Sequence, residues 1–304
     1  MRRPAACFVV HEEVAEALKS ERGVVALETT LLSHGLPWPQ NLETAQQAEQ
    51  AVRLAGAVPA TIAVLRGQLH IGLQPDDLLH IAQSPEIFKA SAADLGPLLA
   101  ARMDGSTTVS ATVVAAARVG ISVMATGGLG GVHRGDAADV SSDLTTLAQT
   151  PVAVVSAGPK AILDLPRTLE WLETFGVPVI GIGTDRLPAF YVRHSGLALA
   201  HSVPDAAAAA RLVAAHWTVF PSRGVLLCKP IGDDQALPED LFEQAFGVAM
   251  SAAQAQQISG KALTPFLLSH IARGTGLNTV RANQTLIVQN AAFAGQLAVA
   301  LCSA

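Results

Sequence analysis

The sequence predicts an α/β fold: a three-layer α/β/α sandwich around a largely parallel central sheet. Runs rich in Val, Ile and Ala alternate with helical patterns along the 304 residues. These runs are continuously apolar, which is typical of strands buried on both faces of a parallel sheet. The alternation of strands and helices favours a layered arrangement. Because no linker rich in Ser, Pro or Gly divides the chain, we expect residues 1–304 to form one domain.

Six apolar runs have the length and composition of core strands. In chain order, we predict strands at Val24–Glu28, Ala60–Leu65, Ile121–Thr126, Val152–Ala157, Val179–Gly183 and Gly224–Lys229. Periodic patterns between and after them predict helices at Asn41–Ala55, Thr107–Val119, Asp143–Thr150, Lys160–Phe175, Asp205–Trp217 and Pro238–Gln256. Two or three further helices are expected to close the chain, beginning near Thr264 and Val280.

Composition and charge favour small-molecule partners. Half of the residues are hydrophobic and only 15% are charged, which is ample material for a large core. The longest apolar tract, Leu286–Cys302, is broken by polar residues, so we expect no membrane span. A formal net charge of -5 and basic runs of at most two residues argue against nucleic-acid binding. Three widely spaced cysteines suggest neither a disulfide framework nor a zinc site, and we expect a cytoplasmic protein without a targeting signal.

Polar residues stand where the predicted strands end. Glu28 ends the first strand and Thr126 ends the third, while Lys160 follows the fourth and Thr184 follows the fifth. In parallel sheets, ligands bind beyond the carboxyl ends of the strands. We therefore expect these side chains to converge on one candidate site.

The segment ATGGLGGVHRG, residues 125–135, runs from a strand into closely spaced glycines. Such glycines let backbone N–H groups approach an anion, but they are equally compatible with a plain tight turn. His133 and Arg134 follow directly and favour phosphate binding. The dinucleotide-binding fingerprint is matched only loosely, because no helix begins cleanly behind the glycines and no acidic residue follows at the expected distance.

The segment DVSSD, Asp139–Asp143, combines two carboxylates with two hydroxyls. Oxygen ligands of this kind suit a hard divalent cation such as Mg²⁺ or Mn²⁺. Ser141 or Ser142 is equally well explained as the N-cap of the helix that follows. The two interpretations are compatible, because a helix N-terminus also favours anions.

Lys160 and Glu28 are the candidate catalytic residues. The chain has only five lysines, and Lys160 lies in the apolar segment SAGPKAILDLP at a strand–helix junction. Burial lowers a lysine pKa and frees the neutral amine for Schiff-base formation, whereas a lysine on a first helical turn is more often simply solvated. Glu28, at the end of a buried strand, is either a general acid with a raised pKa or a capping or ion-paired carboxylate. For His34, in the segment SHGLPWPQN, we expect a structural role in a rigid loop.

Six blocks occur in order along the chain: VALETTLLSHGLPWPQNLETA, VPATIAVL, TTVSATVVAAARVGISVMATGGLGGVHRG, DVSSDL, SAGPKAILDLPRTLEWLETFGVPVIG and KALTPFLLSHIA. Together they closely resemble the pseudouridine-5'-phosphate glycosidase family, which also includes proteins called indigoidine synthase A. The resemblance runs from about Val24 to the C-terminus. It implies an enzyme that cleaves the C–C glycosidic bond of pseudouridine 5'-phosphate with water, giving uracil and ribose 5-phosphate, and that readily runs the reverse reaction.

The resemblance also assigns roles to individual residues. Lys160 corresponds to the family's Schiff-base lysine and Glu28 to its proton donor. Asp139 corresponds to the aspartate that holds a divalent metal, typically Mn²⁺, largely through waters. Family members are usually homotrimers. The substrate-binding positions implied by the resemblance are Lys89, Val109, Ser141, Ser142, Asp143 and Asn283, and we add Thr126 and His133 from the patterns above.

Three positions depart from the family pattern, and two other functions stay open. The loop between Arg134 and Asp139 is shorter than usual, Pro159 stands where a small residue is usual, and Lys229 replaces an asparagine. The first alternative function is an aldolase-like lyase that uses Lys160 without recognising uracil. The second is a non-catalytic protein that binds sugar phosphates. Retention of a proton donor beside a nucleophile favours an enzyme.

Overall fold

The computed structural model describes residues 7–134, 138–258, 260–276 and 278–303. Within these ranges the protein has the predicted three-layer α/β/α architecture. The strands are β1 (Phe8–Val10), β2 (Val24–Leu27), β3 (Val58–Leu65), β4 (Gln68–Ile71), β5 (Phe88–Ala90), β6 (Gly105–Thr107), β7 (Val123–Ala125), β8 (Ala153–Ser156), β9 (Val179–Ile182), β10 (His201–Val203) and β11 (Val225–Cys228). The α-helices are α1 (Glu12–Lys19), α2 (Gln40–Leu54), α3 (Pro75–Gln83), α4 (Leu95–Ala101), α5 (Val109–Val119), α6 (Ser142–Ala148), α7 (Leu165–Thr174), α8 (Ala206–Val219), α9 (Glu239–Ala255), α10 (Leu263–Gly274) and α11 (Asn278–Cys302).

The central sheet has the strand order β1-β4-β3-β2-β7-β8-β11-β9-β10. Within this order all neighbours are parallel except β3 and β4. β6 pairs with β3 in the antiparallel sense and carries β5 beside it. The prediction of a largely parallel sheet is therefore confirmed.

Alternate residues of a central strand face opposite layers of the sandwich. In β2, Val24 and Ala26 belong to the core beneath α1 and α5, whereas Val25 and Leu27 belong to the core beneath α2, α8 and α11. Both faces of the strand are buried, which explains why its sequence is apolar without interruption. The carboxyl ends of β2, β7 and β8 lie side by side, so the residues that follow them meet at one edge.

All six predicted core strands are present, close to their predicted bounds. The sequence patterns missed β1, β4, β5, β6 and β10, which have only three or four residues each. Length alone does not explain the misses, because β7 also has only three residues. β7 was found because it lies inside a longer, largely apolar run, whereas β4, β5, β6 and β10 contain polar residues. The core of the fold was predictable, and its edges were not.

The predicted helix Lys160–Phe175 begins too early. Helix α7 starts at Leu165, and the carboxylate of Asp164 accepts a hydrogen bond of 3.0 Å from the Arg167 N–H. Pro166 lies in its first turn, as proline commonly does at a helix start. Residues 157–164 therefore remain outside the helix. The helix predicted at Thr107–Val119 also starts later in the structure than predicted. It begins at Val109, because Thr107 belongs to β6.

The C-terminal helix α11 is long and apolar enough, by length and composition alone, to cross a membrane. In this fold it packs against α2, α8 and the strands β2, β7 and β8, and half of its most apolar window is buried inside the protein. Its polar interruptions have a structural use. Buried Asn290 donates from Nδ2 to the carbonyl oxygen of Thr126 at 2.8 Å and ties α11 to the end of β7. These contacts make α11 a core helix of the fold.

Gly295 marks a close approach of α11 to α2. A Cβ there would lie 2.6 Å from the Ala55 Cβ and 3.2 Å from the Val52 carbonyl oxygen. We expect Gly295→Ala to lower the free energy of unfolding by about 1 kcal/mol, because overpacking outweighs the gain in helix propensity. The matched control is Gly247→Ala in α9, where a Cβ meets nothing within 4 Å. Gly247→Ala should raise the free energy of unfolding by about 1 kcal/mol. Urea unfolding measures both, and effects of the same sign would contradict the close contact.

Candidate active site

A cavity of about 400 Å³ opens at the carboxyl edge of the sheet, beyond β2, β7 and β8. Its walls come from the residues after these strands, the starts of α5 and α6, and the helices α10 and α11. Thr184 lies elsewhere and accepts a hydrogen bond from the Arg186 N–H at 3.1 Å in a local turn. The eleven residues predicted for the site all line the cavity: Glu28, Lys89, Val109, Thr126, His133, Asp139, Ser141, Ser142, Asp143, Lys160 and Asn283.

Glu28 follows β2 and is buried in the cavity wall. Burial raises the pKa of its carboxyl above the ordinary value of 4.5, and the negative charge of Asp143 acts in the same direction. The positive charge of Lys160 and a hydrogen bond donated by Thr126 Oγ1 to Glu28 Oε1 oppose this rise in pKa. The carboxyl therefore holds its proton to a higher pH than an exposed glutamate does, which suits a proton donor.

Lys160 lies in the connection between β8 and α7 and not on a helical turn. Its backbone N–H donates to the carbonyl oxygen of Leu129 at 3.0 Å, which fixes the connection against the glycine-rich segment. Gly158 makes the bend before it with a φ of +81°, where a Cβ would lie 2.5 Å from the Pro188 carbonyl oxygen. The Lys160 ammonium is close enough to Glu28 to lower the pKa of that carboxyl. The alternative of a lysine on the first helical turn is therefore wrong.

The glycines of residues 127–131 are needed for close packing. A Cβ on Gly128 would lie 2.7 Å from the Phe190 ring, and one on Gly127 would lie 2.9 Å from Asn283 Oδ1. Four backbone N–H groups between residues 129 and 133 already donate to protein acceptors. Leu129 and His133 donate to the carbonyl oxygens of Gly158 and Asp139, Gly130 donates to the Asp143 carboxylate, and Val132 donates to the Thr168 hydroxyl. The expected anion cradle is therefore wrong at these four positions.

Arg134 does not line the cavity but holds helix α9. Its guanidinium forms hydrogen bonds of 3.0 and 3.1 Å with the two carboxylate oxygens of Glu243. It also donates to the carbonyl oxygens of Leu163 and Ala161 at 3.1 and 2.9 Å, and it stacks over the Phe246 ring at 4.4 Å. These contacts use the donors that a phosphate would need. The prediction that Arg134 favours phosphate binding is therefore wrong.

Asp143 joins three elements through its carboxylate. The residue is 5% exposed, and its Oδ1 accepts the N–H of Ser110 in α5 at 2.9 Å. Its Oδ2 accepts the N–H of Gly130 at 3.0 Å. Its own N–H donates to Ser141 Oγ at 3.2 Å, which confirms Ser141 as the N-cap of α6. Asp143 therefore shapes the cavity wall in addition to lining it.

The wall around the start of α5 suits an anion. Thr108 precedes this helix and Val109 begins it, and both line the cavity together with Ser142 at the start of α6. Helix N-termini offer N–H groups without intrahelical partners and a partial positive charge. Of these N–H groups, that of Ser110 is already taken by the carboxylate of Asp143. Lys89 on β5 also lines the cavity and adds a full positive charge at this wall. Its charge reaches His34: burial lowers the pKa of the His34 imidazole, and the charge of Lys89 lowers that pKa further.

Asp139 is the candidate metal ligand. Its carbonyl oxygen accepts the N–H of His133 at 3.0 Å. Burial lowers the pKa of the His133 imidazole, and the charge of Asp139 opposes this effect. Among the described residues, no group of three or more His, Cys, Asp or Glu side chains could hold a metal ion. A divalent cation there would be bound through a single carboxylate and would keep most of its waters, which is compatible with the hydration that Mg²⁺ retains in proteins.

Sequence reasoning missed two further walls of the cavity. A π-helical turn, Leu31–Gly35, follows Glu28 and brings Thr30 and His34 to the cavity, although we expected His34 to be structural. The buried ring of Phe190 forms part of another wall, with a backbone φ of +58° that few side chains adopt. Neither the π-turn nor the unusual φ has a sequence signal, so periodicity could not have predicted them.

Comparison with known proteins gives the family. Residues 13–300 match the family model described as indigoidine synthase A like protein. The chain belongs to this family. One curated relative in the indigoidine synthase A family is the pseudouridine-5'-phosphate glycosidase of Caldanaerobacter subterraneus subsp. tengcongensis, which is 50% identical over 292 residues and covers 95% of both chains. Another protein of that name, from Myxococcus xanthus, is 48% identical over 296 residues, which is 96% of this chain and 98% of the relative.

Solved structures share the indigoidine synthase A fold with this chain. The prealnumycin C-glycosynthase AlnA, solved in complex with ribulose 5-phosphate, superposes with a TM-score of 0.91 at 41% identity, over 99% of this chain and 98% of that chain. An indigoidine synthase A-like protein from Thermotoga maritima superposes with a TM-score of 0.90 at 29% identity, over 99% of both chains. The likeness therefore extends over nearly the whole fold.

Glu28 should reduce stability when it is ionised. Because its pKa is raised in the folded state, ionisation disfavours folding above that pKa, and this cost disappears as the pH falls below the ordinary value of 4.5. We expect Glu28→Gln to raise the free energy of unfolding at about pH 8, with a gain that shrinks as the medium is acidified. Urea unfolding across this range tests the expectation. The control is Glu43→Gln at an exposed position of α2, which should show no such dependence, and a flat profile for Glu28→Gln would contradict the raised pKa.

Proposed function

We propose that this protein is a pseudouridine-5'-phosphate glycosidase, which cleaves pseudouridine 5'-phosphate with water to uracil and ribose 5-phosphate and also catalyses the reverse reaction. The observation that carries the proposal is the pairing of Lys160 with the protonation-prone carboxyl of Glu28 inside one cavity of about 400 Å³. This volume is typical of small-molecule sites. The names of curated relatives that are 48–50% identical over nearly the whole chain support the same substrate.

A covalent route through Lys160 explains how a carbon–carbon bond is broken. The neutral amine adds to C1' of the ribosyl group as the C1'–O4' bond breaks and O4' takes a proton. Uracil C5 then takes a proton, and the C1'–C5 bond breaks as the nitrogen lone pair forms an iminium. Water hydrolyses the iminium, which releases ribose 5-phosphate and restores the amine. The route replaces one difficult step with several easier ones.

Glu28 is the proton donor in this scheme. Its carboxyl is buried, and burial keeps it protonated to a higher pH, so it can deliver a proton as uracil leaves. The hydroxyl of Thr126 donates to the same carboxyl and fixes its orientation. After the proton has gone, the positive charge of the iminium formed at Lys160 stabilises the carboxylate. Proton transfer and covalent catalysis are therefore carried by one adjacent pair.

The substrate's phosphate belongs at the start of α5 in this proposal. Val109 and Ser142 stand at two helix N-termini, and Lys89 supplies a positive charge at the same wall. Ser141 and Asp143 shape this wall from α6. Asn283 and His133 line the remainder of the cavity, where the base and the ribosyl group would lie. The polar groups thus fix both ends of the substrate relative to Lys160.

A divalent cation, which we propose to be Mn²⁺, would be held by Asp139. The oxygen donor suits a hard ion, and a cation that keeps its waters needs only one carboxylate. When bound, the cation would supply positive charge beside the phosphate-binding wall. The covalent steps at Lys160 and the proton transfers from Glu28 are made by the chain's own groups.

We also propose, from the family resemblance, one glycosidase domain over residues 1–304, a homotrimer as the assembly and the cytoplasm as the location. Large apolar side chains at the surface, including Trp38, Phe88 and Met103, offer area for contacts between subunits. An aldolase-like lyase is the second candidate activity, because it would use the same lysine. The names of the relatives favour the glycosidase.

Lys160 should be the residue that forms the covalent intermediate. With ribose 5-phosphate and borohydride, we expect a stable adduct on Lys160 in a peptide map by mass spectrometry. Lys160→Ala should abolish the adduct and lower the rate of pseudouridine 5'-phosphate formation from uracil and ribose 5-phosphate by about 10³-fold or more. The matched control is Lys19→Ala at an exposed position of α1, which should change neither. An inactive wild type in the assay with Mn²⁺ would overturn the glycosidase proposal and favour the lyase.

Asp139 should control metal affinity. We expect Asp139→Asn to weaken Mn²⁺ binding by about tenfold or more, because it removes the negative charge from the only proposed protein ligand. Free Mn²⁺ measured by electron paramagnetic resonance gives the affinity without any need for turnover. Asp185→Asn, at an exposed position away from the cavity, is the control. Equal affinity in the wild type and Asp139→Asn would mean that the ion binds elsewhere.

A further inference from the structure

We infer that His34 binds a ribosyl hydroxyl of the substrate, with its Nε2 as the hydrogen-bond acceptor. The inference rests on the proposed function, since it takes a ribosyl group at Lys160 as given. His34 lies within the π-helical turn Leu31–Gly35 and lines the cavity. None of the steps described above uses its side chain.

A directed chain of hydrogen bonds fixes the proton on His34. Ser106 Oγ donates to the carbonyl oxygen of Phe88 at 3.4 Å, and a carbonyl oxygen can only accept. Ser33 Oγ donates its single proton to Ser106 Oγ at 2.7 Å. Towards His34 Nδ1, which is 2.6 Å away, Ser33 Oγ can therefore only accept. The imidazole carries its proton on Nδ1, and Nε2 presents a lone pair.

The lone pair on Nε2 selects the kind of group that His34 can bind. Burial lowers the pKa of His34 and the positive charge of Lys89 lowers it further, so the ring is neutral near pH 7. A neutral Nε2 can only accept a hydrogen bond. Phosphate oxygens that have lost their protons and the carbonyl oxygens of uracil have none to donate. Hydroxyl groups do.

Position along the cavity favours the ribosyl hydroxyls over the N–H groups of uracil. His34 lies in the π-helical turn that follows Glu28, the residue proposed to protonate uracil next to the reacting C1' carbon. His34 also lies close enough to Lys89, at the anion-binding wall, to respond to its charge. His34 is therefore placed between the reacting carbon and the phosphate. In ribose 5-phosphate, carbons 2 to 4 and their hydroxyls occupy that interval.

The experiment compares ribose 5-phosphate with its 2-deoxy and 3-deoxy analogues in borohydride trapping on Lys160, which needs no uracil. We expect His34→Phe to raise the concentration of ribose 5-phosphate needed for half-maximal trapping about tenfold, the effect of one lost hydrogen bond. Against at least one deoxy analogue, the same substitution should have little effect. His34→Gln, whose side chain can place an oxygen near the position of Nε2, should recover part of the loss.

The controls separate a binding role from a merely structural one. His201→Phe, at an exposed position of β10, should leave all three sugars unchanged. Equal penalties for all three sugars in both His34→Phe and His34→Gln would overturn the inference. So would a ¹⁵N spectrum that places the His34 proton on Nε2. A wild type that forms no adduct with ribose 5-phosphate would instead remove the proposed function itself.

Discussion

One buried carboxylate and the two backbone N–H groups that donate to it hold the cavity in shape. Asp143 connects the start of α5 through Ser110 and the glycine-rich segment through Gly130, and it stands itself at the start of α6. A carboxylate at 5% exposure is tolerable because both oxygens are bonded and two helix N-termini favour its charge. In the glycine-rich segment, the carbonyl oxygen of Leu129 in turn accepts the backbone N–H of Lys160. The position of Lys160 therefore depends on a hydrogen-bond network centred on Asp143.

The cavity wall contains several groups in energetically unfavourable environments or conformations. Glu28 is buried although water would stabilise its charge, Thr30 has a buried hydroxyl without a partner among the described residues, and Phe190 adopts a φ of +58°. Each feature disfavours the folded state, and such features cluster at functional sites. The large apolar cores on both faces of the sheet offset these costs. The unfavourable groups thus lie at the carboxyl edge of the sheet, whereas the stabilising cores lie on its two faces.

The sequence was informative where residue type alone determines the environment. Continuous apolar runs predicted the central strands, and polar residues at their ends predicted Glu28, Thr126 and Lys160 in one cavity. Arg134 was misjudged because its partner Glu243 is more than 100 positions away, and sequence spacing does not reveal such a contact. The wall with His34 was missed because a π-turn changes which side chains face inward without altering composition. The start of α7, by contrast, was marked by Asp164 and Pro166 and could have been predicted.

The order of the chain gives helix α11 a consequence for synthesis. Lys160 and Glu28 lie well before α11 in the chain, whereas Asn283 reaches the cavity and Asn290 fastens the end of β7 from within α11. A nascent chain emerging from the ribosome therefore exposes its lysine well before the wall from α11 exists. The cavity closes only when residues 278–302 have been translated and have packed against the sheet. Lys160 and Glu28 are therefore synthesised well before the cavity that surrounds them is complete.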